Sequence, residues 1–127
     1  MSEKILVVDD DKPLRELYKA RLEESGFLVV EAGDGEDGLV QAMNQKPDLI
    51  VLDLMMPKIN GMDVLDILKA TDETRKIPVI VVTALVHDEV RKRVIDAGAL
   101  AYLTKFEYRP AKVVGVVKLI LKDLRGT

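Results

Sequence analysis

The chain has no cysteine and a single histidine among its 127 residues. Without cysteine there is no disulfide, no thiolate metal site and no cysteine nucleophile, and one histidine cannot build a histidine-rich metal centre. Positive charge is not in excess either. The 19 Lys and Arg residues face 22 Asp and Glu, a formal net charge of -3, which argues against nonspecific nucleic-acid binding. Long apolar runs are also missing. Met1-Ser2-Glu3-Lys4 leads into only four apolar residues, too few for a signal peptide or a membrane span. No repeat, linker or low-complexity segment breaks the pattern. The remainder, 48% hydrophobic and 32% charged, is expected to form one cytoplasmic domain with a real core.

What is present is a set of strand-like runs that each end in a residue suited to phosphate or metal chemistry. Ile5-Leu6-Val7-Val8 runs into Asp9-Asp10-Asp11, and Leu49-Ile50-Val51-Leu52 runs into Asp53. Pro78-Val79-Ile80-Val81-Val82 runs into Thr83, and Ala101-Tyr102-Leu103-Thr104 runs into Lys105. In an open parallel sheet, ligands bind outside the carboxyl ends of the strands. Residues far apart in sequence are therefore expected to converge there.

Helix-period segments separate these runs. Leu14, Leu17, Tyr18 and Leu22 recur at helical spacing, Pro13 suits the first turn, and Gly26 reads as the stop. Leu28-Val29-Val30 is a short second strand. Leu39, Ala42 and Met43 mark a second helix ending before Pro47, and Met62, Leu65 and Leu68 mark a third. Val90 and Val94 belong to a fourth helix that stops at Gly98. The last segment, Ala111 to Leu124, is rich in β-branched valine and carries Gly115, both poor helix formers. Its apolar residues Val113, Val117, Ile120, Leu121 and Leu124 nevertheless keep helical spacing, so a helix is expected. Five βα units make an α/β fold with a doubly wound parallel sheet and right-handed crossovers.

Gly33-Asp34-Gly35-Glu36-Asp37-Gly38 satisfies G-x-G-x-x-G after a strand, with Asp53 about 20 residues on. The chemistry opposes a dinucleotide. Asp34, Glu36 and Asp37 would repel a pyrophosphate, whereas acids suit an ordinary helix start. The segment reads as a loop and a helix cap.

Asp9, Asp10 and Asp11 crowd negative charge at one strand end. Asp11 reads as a helix cap; Asp9 and Asp10 with Asp53 form a set of hard oxygen ligands suited to Mg²⁺. Asp53 is the candidate nucleophile, since a carboxylate can carry a phosphoryl group as an acyl phosphate. Lys105 and Mg²⁺ would neutralise the transferring oxygens, and Thr83 would supply a hydroxyl donor. His87, Met55, Met56, Tyr18 and Tyr108 read as ordinary surface or packing residues.

With those residues in view, the chain resembles the receiver domain of bacterial two-component response regulators, the single-domain chemotaxis regulator included, over essentially residues 1–127. The resemblance rests on Ile5-Leu6-Val7-Val8-Asp9-Asp10, on Asp53-Leu54-Met55-Met56-Pro57-Lys58-Ile59-Asn60-Gly61, on Val82-Thr83-Ala84, and on Gly98 to Lys105. It implies a flavodoxin-like (βα)5 sheet in the order 2-1-3-4-5. It also implies that Asp53 accepts phosphate from a histidine kinase or phosphotransfer protein. Asp10 would bind Mg²⁺ directly, Asp9 mainly through water, and Met55 through its backbone carbonyl. Thr83, Ala84 and Lys105 would contact the phosphoryl group, and Thr83 with Tyr102 would form the switch. The fourth helix, fifth strand and fifth helix would then signal to a downstream protein. The resemblance further implies no nucleic-acid binding by this domain, no membrane contact, and a monomer or weak phosphorylation-dependent dimer.

One departure stands out. Phe106 follows Lys105 where the family usually has proline in a cis peptide. A cis bond before a non-proline residue costs about 3–4 kcal/mol, so the Lys105-Phe106 bond is expected to be trans. Two rival readings are a Mg²⁺-dependent phosphohydrolase and a degenerate receiver that only binds protein. The first usually needs a second acid two residues past the nucleophile, where Met55 stands. The second sits badly with intact acids, threonine and lysine. The ending Leu124-Arg125-Gly126-Thr127 shows no linker, which favours a stand-alone protein over a piece of a longer regulator.

Overall fold

A computed structural model describes residues 2–126. Five strands alternate with five helices: β1 (Lys4–Val8), α1 (Lys12–Glu24), β2 (Leu28–Ala32), α2 (Gly35–Gln45) and β3 (Leu49–Leu52) form the first half. Then follow α3 (Gly61–Ala70), β4 (Val79–Thr83), α4 (Asp88–Asp96), β5 (Ala101–Thr104) and α5 (Pro110–Leu124). The strands are all parallel and lie in the order β2-β1-β3-β4-β5. This is the expected doubly wound, flavodoxin-like sheet. Chain direction across it reverses at β1, so a crevice opens between the ends of β1 and β3.

Alternation along each strand divides the core in two, because successive side chains point to opposite faces. Leu6, Val8, Ile50, Leu52, Val79 and Val81 pack with Ala42, Val64, Leu65, Leu68 and Val94 of α2, α3 and α4. Ile5, Val7, Leu49, Val51, Ile80 and Val82 pack with Tyr18 and Leu22 of α1 and Val113, Val117 and Leu121 of α5. Both faces are covered, which is why the central strands read as unbroken apolar runs.

Packing also explains α5. Val113, Val114, Val117 and Leu121 are buried against the sheet, and that burial outweighs the few tenths of a kcal/mol per residue that valine loses in a helix. The buried stripes are narrower than helical spacing implied. Leu17, Met43 and Leu124 lie on the solvent side of their helices, because a helix resting on a sheet buries only the row facing it. Tyr18, read from sequence as an ordinary packing residue, is a fully buried core residue.

Three helix starts carry side-chain caps, two of them where the sequence suggested, at Asp11 and in the Gly33–Gly38 segment, and a third at Asn60. Asp11 accepts a hydrogen bond from the Leu14 amide, Asp34 from Asp37, and Asn60 from Asp63. Two of the three glycines of the G-x-G-x-x-G pattern have packing reasons. A Cβ on Gly35 would sit 2.4 Å from the Ile59 carbonyl oxygen, and one on Gly38 would sit 2.9 Å from the Val8 side chain. On Gly33 it would meet the Arg15 guanidinium at 3.4 Å, an ordinary contact, so this position does not require glycine.

Candidate functional site

The carboxyl ends of β1, β3, β4 and β5 bring the sequence-predicted residues to one crevice. Asp9 follows β1 and Asp53 follows β3, both buried; Asp10 is exposed beside them. One carboxylate oxygen from each of the three lies within 4.8 Å of the others. The Lys105 ammonium, just past β5, lies 2.9 Å from Asp9 Oδ2 and 3.1 Å from Asp53 Oδ2. Thr83, the last residue of β4, is fully buried, and its Oγ1 accepts the Leu85 amide at 3.3 Å. Ala84 is exposed in the loop that follows.

Local backbone geometry aims these groups. The Asp11 amide donates to Asp9 Oδ1 at 2.9 Å, and the Met55 amide donates to Asp53 Oδ1 at 3.2 Å. Each aspartate is thus held by an amide two residues on, the short Asx turn that this residue type favours. Gly61 holds the β3–α3 loop shut. Its amide donates to the Leu54 carbonyl at 2.9 Å, and a Cβ there would stand 2.1 Å from the Asp53 carbonyl oxygen. Only glycine fits that approach.

The electrostatics follow from one cation serving two buried anions. Burial pushes the Asp9 carboxyl above its usual value, although bonds to Lys105 and to the Asp11 amide work against the rise. Burial alone would lower Lys105, but its bond to Asp9 and the charges of Asp53 and Asp9 hold it above the usual lysine value. The two directions describe one arrangement: the ammonium gains two partners, while each acid gains half of one. Tyr18 lies beneath this cluster, and its hydroxyl is pushed up to about 12 by burial.

Two supporting residues, Arg15 and Arg91, carried no motif and were missed in the sequence. Arg15 on α1 donates from Nη1 to the Asp9 carbonyl at 2.8 Å and from Nε to Glu31 at 3.0 Å, fixing the end of β1 to β2. The Tyr102 hydroxyl donates to the Leu85 carbonyl, and Arg91 on α4 lies over the Tyr102 ring. Their only signal is spacing along helices that reach the crevice, which many charged residues share.

The loop after Lys105 closes as a turn. The Glu107 and Tyr108 amides bond the Thr104 carbonyl at 3.1 and 2.9 Å, and the Thr104 hydroxyl donates to Glu107 Oε1 at 2.8 Å. The Lys105-Phe106 bond is trans, as expected, and the Phe106 ring is 87% exposed. Tyr108 is half-buried, with the Lys112 ammonium 5.3 Å from its ring centre.

A parallel sheet with buried acids and a lysine at its switch point gathers carboxylates and an ammonium where such sheets bind their ligands. Residues 5–118 match the response regulator receiver domain, and the chain belongs to that family. Among its relatives is the phosphate regulon transcriptional regulatory protein PhoB of Escherichia coli (strain K12), 38% identical over 124 residues. That match covers 98% of this chain and 54% of PhoB. The alkaline phosphatase synthesis transcriptional regulatory protein PhoP of Bacillus subtilis (strain 168) is 39% identical over 122 residues, covering 96% of this chain and 50% of PhoP. The chain therefore spans about half the length of these relatives. A CheY-like receiver domain protein from Methanospirillum hungatei JF-1 superposes with a TM-score of 0.90 at 28% identity, covering 99% of this chain and 98% of that one. A BeF3-activated DrrB receiver domain does so with a TM-score of 0.85 at 32% identity, covering 96% and 99%. Membership places this chain among the signalling domains of two-component systems. Among the described residues, no helix is long and apolar enough to cross a membrane.

Proposed function

We propose that the chain is a phosphorylatable switch in which Asp53 takes a phosphoryl group from a histidine kinase or phosphotransfer protein. The observation that carries this reading is Lys105, whose ammonium bridges Asp9 and Asp53 at the mouth of the crevice. An Asp53 oxygen attacks phosphorus in line, the new P–O bond forms as the donor bond breaks, and the donor leaves with the bonding electrons. Lys105 stabilises the charge on the equatorial oxygens, and the Thr83 hydroxyl and Ala84 amide serve as donors to them.

The three clustered carboxylates are hard oxygen donors of the kind Mg²⁺ takes. Asp10 would hold it directly, Asp9 through water, and Asp53 and the Met55 carbonyl would complete the protein's share. Bound there, the ion supplies charge neutralisation for the incoming phosphoryl group. The domain, residues 1–127 as a whole, is not a turnover enzyme; it catalyses only its own phosphorylation and dephosphorylation. The switch runs through Thr83 and Tyr102 to the surface of α4, β5 and α5, where a downstream protein is read as the partner. We read the domain as cytoplasmic, without direct contact to nucleic acid or membrane, and as a monomer or weak phosphorylation-dependent dimer.

The test is intact mass after incubation with acetyl phosphate and Mg²⁺. One phosphoryl group, roughly 80 Da, is expected on the wild type and none on Asp53→Asn. Full adduct on that variant moves the acceptor elsewhere, and steady phosphate release with turnover makes the protein a hydrolase.

A further inference from the structure

Few contacts hold the chain on the carboxyl side of Lys105. The Lys105 amide donates to the Thr83 carbonyl at 2.8 Å, which carries the β4–β5 pairing one residue further. Phe106 follows with a ring 87% exposed, so it brings the loop no packing. The chain is next anchored at Tyr108, which packs against the core on the side of α1 and α5. Between these anchors the turn closes on one side-chain pair. Thr104, buried at the end of β5, donates its hydroxyl to Glu107 Oε1 at 2.8 Å, and the Glu107 amide donates back to Thr104 Oγ1 at 3.3 Å. The spacing Thr-x-x-Glu is that of a capping box, but here the carboxylate takes the threonine hydroxyl, and α5 starts only at Pro110.

The consequence falls on Lys105, the first residue inside the closed turn. A lysine stem is flexible and does not orient its own ammonium. With Thr104 fixed in the sheet and Glu107 drawn back onto it, the Lys105 backbone is held on both sides, and Nζ reaches Asp9 and Asp53 at 2.9 and 3.1 Å. The same bond occupies the acid nearest to Lys105 in sequence. Among the described residues, the ammonium pairs with Asp9 and Asp53 and not with Glu107.

We propose that Glu107 is a positioning residue for phosphoryl transfer, closing the turn on Thr104 so that Lys105 meets the crevice and not its own loop. The inference rests on the phosphoacceptor reading of Asp53 and adds a residue to that site. Glu107 is solvent-exposed, so its replacement leaves the core intact.

The experiment times adduct formation by intact mass, at fixed acetyl phosphate and Mg²⁺, in the wild type, Glu107→Ala, Glu107→Gln, Lys105→Ala and the double variant of Glu107→Ala with Lys105→Ala. Glu107→Ala should slow the adduct about fivefold, the scale of one lost hydrogen bond. Glu107→Gln keeps an acceptor oxygen for the Thr104 hydroxyl and should run close to the wild type. Without Lys105, Glu107→Ala should change nothing further, because it acts through the ammonium. A wild-type rate for Glu107→Ala, an equal loss in Glu107→Gln, or an undiminished effect in the Lys105→Ala background overturns the proposal.

A second measurement needs no phosphodonor. By NMR, the two Hε protons of Lys105, assigned with Lys105→Ala, should be distinct in the wild type and Glu107→Gln, where the stem is held. They should converge in Glu107→Ala. Converged signals in the wild type, or distinct ones in Glu107→Ala, also overturn the positioning role. Absence of an adduct on wild-type Asp53 defeats the phosphoacceptor function, while the Hε comparison still decides what Glu107 does.

Discussion

The two ends of the sheet use the same kinds of charged group in opposite ways. At the amino end, Lys4 and Asp48 bond across an exposed edge, the Lys4 amide donating to Asp48 Oδ2 at 2.7 Å. Arg125 pairs with Glu3 at 2.9 Å, and Lys69 donates to the Ile77 carbonyl at 2.8 Å. These contacts fasten chain ends and helix ends in or near water, where an ion pair contributes about 0–1 kcal/mol. At the carboxyl end, Asp9 and Asp53 are withdrawn from solvent to 3% and 4% side-chain exposure and share one ammonium. Two carboxylates crowded together and desolvated are a burden on the fold. The difference teaches that the amino end is arranged for closure, while the carboxyl end gathers buried charge around a single ammonium.

Breaking the backbone fit at the carboxyl end should do the most damage. A Cβ at position 61 would stand 2.1 Å from the Asp53 carbonyl oxygen, which cannot yield as a flexible side chain would. Gly61→Ala is expected to cost about 3 kcal/mol, read as a lower denaturation midpoint at unchanged slope. Midpoints within error of each other would mean that the β3–α3 loop is not held as tightly as this contact requires.

Alkaline pH offers a second way to separate the ends. Tyr18 ionises at 10.0 when free and at about 12 in its buried place. Its pKa is raised on folding, so its contribution is complete below pH 10 and is lost as pH rises toward 12. The loss should reach about 2 kcal/mol near pH 12, and Tyr18→Phe should be spared that part of the decline. Equal decline in both proteins between pH 10 and 12 would remove Tyr18 from the balance.

Metal should relieve the carboxyl end and leave the amino end untouched. Mg²⁺ at ten times its dissociation constant should stabilise the wild type by about 1.4 kcal/mol, seen as a higher melting temperature. Asp10→Asn should show a smaller rise or none. An equal rise in both would take Asp10 out of direct contact with the ion. The smallest effect belongs to the opposite end. Arg125→Ala removes a pair whose arginine side chain is 57% exposed, and the expected change is below about 0.5 kcal/mol. A loss several times larger would erase the contrast between the two ends.

Much of this molecule was legible in one dimension. Apolar runs of four or five residues ending in Asp9, Asp53, Thr83 and Lys105 gave the strands, their carboxyl ends and the candidate site together, because in a parallel sheet chain direction alone decides which end a terminal residue occupies. Caps at Asp11 and Asp34 are local, so their residue types announced them. Other features were decided only when distant segments met. That Leu17 and Met43 face water while Tyr18 is buried depends on how α1 and α2 lie against the sheet, which helical spacing does not specify. That Gly35 and Gly61 are needed depends on carbonyls brought close by the fold of the β3–α3 loop. That Lys105 bridges two acids, Arg15 anchors Asp9 and Arg91 covers Tyr102 depends on long side chains reaching across elements. The reach of such a side chain is fixed by its neighbours in space, and a sequence records only its neighbours along the chain.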